Sequence, residues 1–119
     1  MSRSTRHFLD LLDVELADVA ADLREVEVVM RERLRTQSLT PYVFQQNAAL
    51  LEREVEGINR LRSLLRSHPF DPDADLTVTA GSVREVIRRE IGHLHLPQAL
   101  SSLLERRIQK LLDYVDCCS

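Results

Sequence analysis

Glu90 and His93 stand three residues apart in the stretch EIGHLHLPQA (90–99), and His93 and His95 two apart. On a helix, a carboxylate and an imidazole at i and i+3 share a face, the E-x-x-H spelling by which carboxylate bundles hold iron. H-x-H is a second spelling of a metal site. A di-iron bundle, however, needs two E-x-x-H helices and a carboxylate from each of two others. This chain has one E-x-x-H, and His7 and His68 lie without that spacing. Pro97 disfavours helical geometry at Leu96, and Gly92 suits a helix end, so residues 93–96 read as a connector with Pro97 opening the next helix. If the helix ran on instead, His93 and His95 would point about 200° apart and serve no common ion. The expectation is a polar turn without a bound metal, with Glu90/His93 metal binding as an alternative.

Other candidates for chemistry weaken on the same kind of test. Asp71, Asp73 and Asp75 imitate the start of an EF-hand loop, but its sixth position should be Gly and its twelfth Glu. Here those positions are Leu76 and Ser82. Arg84, Arg88 and Arg89 lie near a glycine between two helices, as in a DNA-binding helix-turn-helix. The small residue such a motif needs would be Arg88, and its buried positions would fall on Gln98 and Ser101. A solvated face, salt-bridged through Glu85 and Glu90, is the simpler expectation. Nucleic-acid binding through the arginines of the third and fourth helices is the second alternative. Glu52 and Glu56 are paired carboxylates at i, i+4, each with a nearby arginine. No nucleophile–base pair, glycine-rich phosphate loop or C-x-x-C is present. Residues 6–13, RHFLDLLD, resemble the opening of ornithine carbamoyltransferases. The S-T-R-T-R phosphate loop of that family does not follow, and 119 residues are too few for its two domains. No carbamoyl-transfer activity is expected, and the chain reads as no enzyme.

Composition narrows the field further. The net charge of −3 gives no general pull toward nucleic acid or anionic lipid, and three Phe, two Tyr and no Trp leave few rings for base stacking. Apolar residues are 44% and charged residues 29%, ordinary for a soluble chain, and the core must be aliphatic. No apolar run approaches the roughly 20 residues of a membrane span. The basic start MSRSTRH is followed by Asp10 and Asp13 rather than by a signal-peptide apolar stretch, so a cytoplasmic setting is expected. Cys117 and Cys118 are adjacent near the end and cannot staple the fold. They read as exposed thiols on a frayed helix end, without the C-a-a-X form of a lipid anchor.

The elements that must carry these residues are helices. Leu9, Leu12, Leu16, Val19, Leu23, Val26 and Met30 alternate spacings of three and four, a heptad seam that predicts a helix over about 5–36 capped by Ser4 or Thr5. Thr40-Pro41 predicts a second over 40–66, with a seam of Phe44, Ala48, Leu51, Val55, Ile58, Leu61 and Leu65. Gly57 inside it costs about 1 kcal/mol relative to Ala and suggests a tight crossing or a mild kink. Residues 67–81, with two prolines and three alternating aspartates, read as a loop pinned by Phe70, Leu76 and Val78. The box Ser82-Val-Arg-Glu85 opens a third helix over 82–92, carrying Val83, Ile87, Ile91 and Leu94. A fourth, over 97–116, carries Leu100, Leu103, Leu104, Ile108, Leu111 and Val115.

Residues 1–119 thus form one all-α domain: a long antiparallel helical hairpin plus two shorter helices, in a four-helix-bundle-like arrangement. The first two helices span about 45 Å and 40 Å and the third about 20 Å, at 1.5 Å per residue. Part of the hairpin is left without an intramolecular cover. The function expected is a protein–protein interaction module without catalysis or cofactor: an adaptor, an assembly factor or a chaperone-like bundle. Its partner would be a second copy, a helical protein, or both, with Met30, Leu34 and Phe44 near the interface.

Overall fold

Ser2 caps the first helix, one turn earlier than Ser4 or Thr5. In the computed structural model, the Ser2 hydroxyl accepts from the Thr5 amide at 3.1 Å and donates to the Thr5 hydroxyl at 2.8 Å. Thr5 is thereby free to be a buried residue of the helix itself. The structure describes residues 1–118, the last of them without its side chain. It contains α1 (Arg3–Arg35), α2 (Pro41–Ser67), α3 (Leu76–His93) and α4 (Gln98–Cys118), and no strand among the described residues. α2 starts as its sequence dictates: Pro41 is at the first position, and the Thr40 hydroxyl accepts from the Val43 amide at 3.2 Å. Pro97 lies one residue outside α4, and its carbonyl accepts the first helical bond, from Ser101.

The third helix differs from expectation. It begins at Leu76, where Asp75 caps it by accepting from the Val78 amide at 2.9 Å. The loop is correspondingly shorter than 67–81, and the box at Ser82 is not a helix start. Ser82 donates back to the Val78 carbonyl instead, and Glu85 pairs with Arg88. Packing explains the difference. Thr79, Ala80, Val83 and Ile87 recur at helical spacing and all are buried, with Leu76 packed against the same core. That burial outweighs the poor helix propensity of Thr-Val-Thr-Ala-Gly.

Two helix ends use the same device without glycine. After α1 the Gln37 amide donates to the Leu34 carbonyl and the Ser38 amide to the Arg33 carbonyl, and Gln37 adopts φ 65°. After α3 the His95 amide donates to Gly92 and the Leu96 amide to Ile91, with His95 at φ 51°. Both are Schellman turns, in which a left-handed residue satisfies the last carbonyls. Gly92 is therefore inside α3, and His95 takes the left-handed position that favours glycine.

α3 lies along α2, α4 lies along α1, and the two touch each other, so they form a second layer across one face of the hairpin. Phe8, Leu16, Ile58, Leu61, Val83, Leu104, Ile108 and Val115 are sealed between the layers. Gly57 is buried where the α3–α4 connector crosses α2. A Cβ there would stand 2.8 Å from Leu96 Cδ1 and 3.5 Å from Leu94 Cδ1. The close approach expected at Gly57 is thus to leucines of a connector rather than to another helix.

The second layer is shorter than the first. Every buried residue falls within 5–20, 55–65 or the α3–α4 segment, and none lies between Ala21 and Glu54. The chain is a four-helix body from which the far half of the hairpin projects as an arm, giving extents of 55 × 29 × 20 Å. Along the arm a half-buried line of Leu23, Glu27, Met30 and Leu34 on α1 is matched by Phe44, Ala48 and Leu51 on α2. Val26, a member of the expected heptad seam, is exposed, and Glu27 takes its place. A straight helix of 3.6 residues per turn drifts about 20° per heptad from a 3.5 repeat, which rotates Val26 out.

Candidate interaction surface

The residues singled out for metal chemistry are not brought together. Glu90 is buried on α3 and paired with Arg60 of α2, whose Nε donates to its Oε1. His93 is exposed at the last position of α3, and His95 is exposed in the connector. Among the described residues no group of three or more His, Cys, Asp or Glu could hold a metal ion. The acidic loop has local work. Asp71 accepts from the Asp73 amide at 2.9 Å, and Asp75 caps α3. Cys117 is exposed and unbridged; the thiol of Cys118 lies outside the described residues.

Of the arginines considered for nucleic acid, Arg84 and Arg88 are held by acids, whereas Arg89 is exposed and in no ion pair among the described residues, and Glu90 pairs with Arg60 instead. Arg84 reaches across from α3 to Glu105 of α4 at 2.9 Å and to Gln109 at 3.1 Å, while Arg88 pairs with Glu85 at 3.1 Å. Arg107 ties α4 to Glu15 of α1 at 2.6 Å. Arg62 joins α2 to Asp13 of α1 at 3.0 Å, with Arg66 behind it at 3.5 Å. The Arg62 hydrogen bond holds the Asp13 carboxyl below its ordinary range; partial burial opposes this, and the charges of Arg62 and Arg66 add to it. Arg107–Glu15 and Arg60–Glu90 tie the two layers together, while Arg62–Asp13 and Arg84–Glu105 join neighbouring helices within a layer. A cleft of about 460 Å³ at the base of the hairpin has apolar walls from Leu9, Leu12, Leu65 and Phe70, with the Asp13–Arg62 pair at its mouth. It holds no nucleophile paired with a base.

The arm carries the remaining chemistry, which is hydrophobic. Met30, Leu34 and Phe44, the expected interface residues, are all on it, but half-buried in the line between its two helices. The Arg31 guanidinium covers one face of the Phe44 ring at 5.6 Å. Val26, Val29, Val43 and Leu50 face outward at 38% to 48% exposed, Val28 at 57% lies on the opposite side of α1, and Tyr42 at 71% stands near the tip. Residues 37–51 contain no charged side chain.

Helical register puts the four on one face. Asp22 on α1 points toward Arg107 of α4 at 3.9 Å, and Val26 and Val29 follow it by four and seven residues. Leu50 and Val43 precede Gly57, which meets Leu94 and Leu96 at the end of α3, by seven and fourteen residues. All these intervals are close to whole turns. The face that α3 and α4 cover over the body therefore continues onto the arm and is open there. Glu54 stands at its foot on the same stripe, and burial pushes its carboxyl above the usual range. The sequence reading placed Val26 in the inner seam and did not single out Val29, Val43 or Leu50, because the heptad seam drew attention to the inner line; the register with Gly57 was the available signal.

Comparison with family models, with curated proteins and with solved structures finds no match to this chain. What the fold defines is a helical bundle with a projecting two-helix arm. No described helix is long and apolar enough to cross a membrane.

Proposed function

We propose that this chain is a non-catalytic protein–protein interaction module, an adaptor, assembly factor or chaperone-like bundle, whose docking element is the arm of residues 21–54. It works as a homodimer or with a helical partner, in the cytoplasm. The observation that carries the reading is the open continuation of the covered face: apolar side chains at helical spacing, beside a tip without charge, over a stretch with no buried residue. An apolar stripe of this kind on a helix pair is suited to receiving another helix face.

The test compares wild type with a Val26→Glu, Leu50→Glu variant by circular dichroism and by affinity capture from the native host, with an untagged second copy included. The expected result is unchanged helicity and loss of whatever the wild type retains, be it the second copy or another protein. Retention of the same set by the variant would overturn the assignment of the arm.

A further inference from the structure

The open face of the arm has a charge pattern that is complementary to itself. Its α1 stripe reads Asp22, Val26, Val29, Arg33, each one turn or so from the next. Reversal about the point between Glu27 and Val28 maps Asp22 onto Arg33 and Val26 onto Val29. Asp22 is 77% exposed, and its ion pair among the described residues is the distant one with Arg107 at 3.9 Å. Arg33 is exposed and in no ion pair among the described residues.

Length matches as well. The same reversal maps Arg35, the end of α1, onto Ala20, the last buried residue of α1. An arm laid on this face in the opposite direction fills it from the tip to the α3–α4 connector and stops where the intramolecular cover begins. The arrangement with both arms pointing the same way is excluded, because the second layer of each copy would then occupy the space of the other copy's hairpin.

We propose that the occupant of the open face is the arm of a second copy of this chain, packed antiparallel about a two-fold axis. Asp22 of each copy meets Arg33 of the other, and Val26 meets Val29. This rests on the reading of the arm as the docking element. Two arms joined this way form a four-helix bundle, in which each supplies the layer the other lacks, and the contact is isologous as a two-fold requires. Arm helices of about 20 Å, two abreast, bury on the order of 1,000 Å² in total, the lower bound for a specific interface. So small an interface suits a reversible dimer, and a Kd on the order of micromolar is the working value for its test.

Charge reversal tests the register. Asp22→Arg and Arg33→Asp each place like charges at both ends of the stripe and should weaken the dimer about tenfold or more. An equimolar mixture of the two variants restores opposite charges at both ends. It should sediment as a heterodimer with affinity within about threefold of wild type. Arg33→Asp has no neighbour such as Arg107, so its loss reports the interface alone, and melting curves of both variants verify the fold. Single variants that associate like wild type, or a mixture that does not recover, would overturn the antiparallel pairing. A wild-type monomer at 100 µM (roughly a hundredfold above a micromolar Kd) would overturn the second copy as occupant. The capture experiment with Val26→Glu, Leu50→Glu separately decides whether the arm docks another protein.

Discussion

Gly57 should show a change of sign that depends on one leucine. Replacing an interior helical glycine by alanine ordinarily gains about 1 kcal/mol. Here the new methyl would stand 2.8 Å from Leu96 Cδ1, while Leu94 Cδ1 and Leu96 Cδ2 remain at ordinary contact, 3.5 and 3.6 Å. Carbon–carbon contact is comfortable from about 3.5 Å, so one leucine methyl must retreat by about 0.7 Å. Leu96 is 9% exposed and has little room to do so. Overpacking of this kind costs about 1–3 kcal/mol, which leaves Gly57→Ala between neutral and about 2 kcal/mol destabilising. Leu96→Ala alone should cost about 2–5 kcal/mol, as a buried leucine lost to a cavity does. In that background the obstruction is gone, and Gly57→Ala should stabilise by about 1 kcal/mol. The double-mutant cycle, read by urea unfolding with far-UV circular dichroism, should therefore return a coupling of about 1–3 kcal/mol. If Gly57→Ala stabilises the wild type and the Leu96→Ala variant equally, the connector does not press on α2 at this point.

Three further outcomes follow from particular contacts. Gln37→Gly and His95→Gly should each raise stability by roughly 1 kcal/mol in chemical denaturation, because both native residues hold positive φ that glycine adopts freely. The Thr79 hydroxyl is buried and has no hydrogen-bond partner among the described residues, so Thr79→Val should be neutral or stabilising by about 1–2 kcal/mol in the same assay. Asp13 is held charged by Arg62, with its folded pKa below the ordinary 3.8. Its contribution is present above that ordinary value and is lost as pH falls through the lower folded one. Asp13→Asn should therefore melt earlier than wild type at pH 7, with the gap narrowing in scans carried below pH about 4.

Helix number, the hairpin and the Thr40-Pro41 start were legible because they rest on local rules: apolar spacing, a proline at the first position, a side-chain cap. The start of α3 was not. Ser82 and Glu85 satisfy a local capping rule, while the determinant is tertiary, namely that Thr79 and Ala80 must face the core. The spacing of Leu76, Thr79, Ala80, Val83 and Ile87 held that information, masked by β-branched residues and a glycine. At the arm, Met30, Leu34 and Phe44 follow from the seam, yet the seam counts residues along a helix and not the reach of the layer above it. Only where α4 begins and the connector crosses Gly57 does it become visible that Val26, Val29, Val43 and Leu50 lose their cover. The E-x-x-H spelling in turn is real as spacing, but Arg60 on another helix decides what Glu90 does.

In the proposed arrangement the four-helix body is self-sufficient and the arm depends on association for its cover. Native-state hydrogen exchange, resolved by residue and repeated at low and high protein concentration, tests it most directly. In dilute solution the amides of residues 8–20 and 55–65 should exchange only through global unfolding, while those of the arm open locally, with protection lower by at least about tenfold. Raising the concentration to well above the micromolar range should increase protection along the arm and leave the body unchanged. Arm amides as protected as the body at every concentration would mean that the arm needs no partner for its cover.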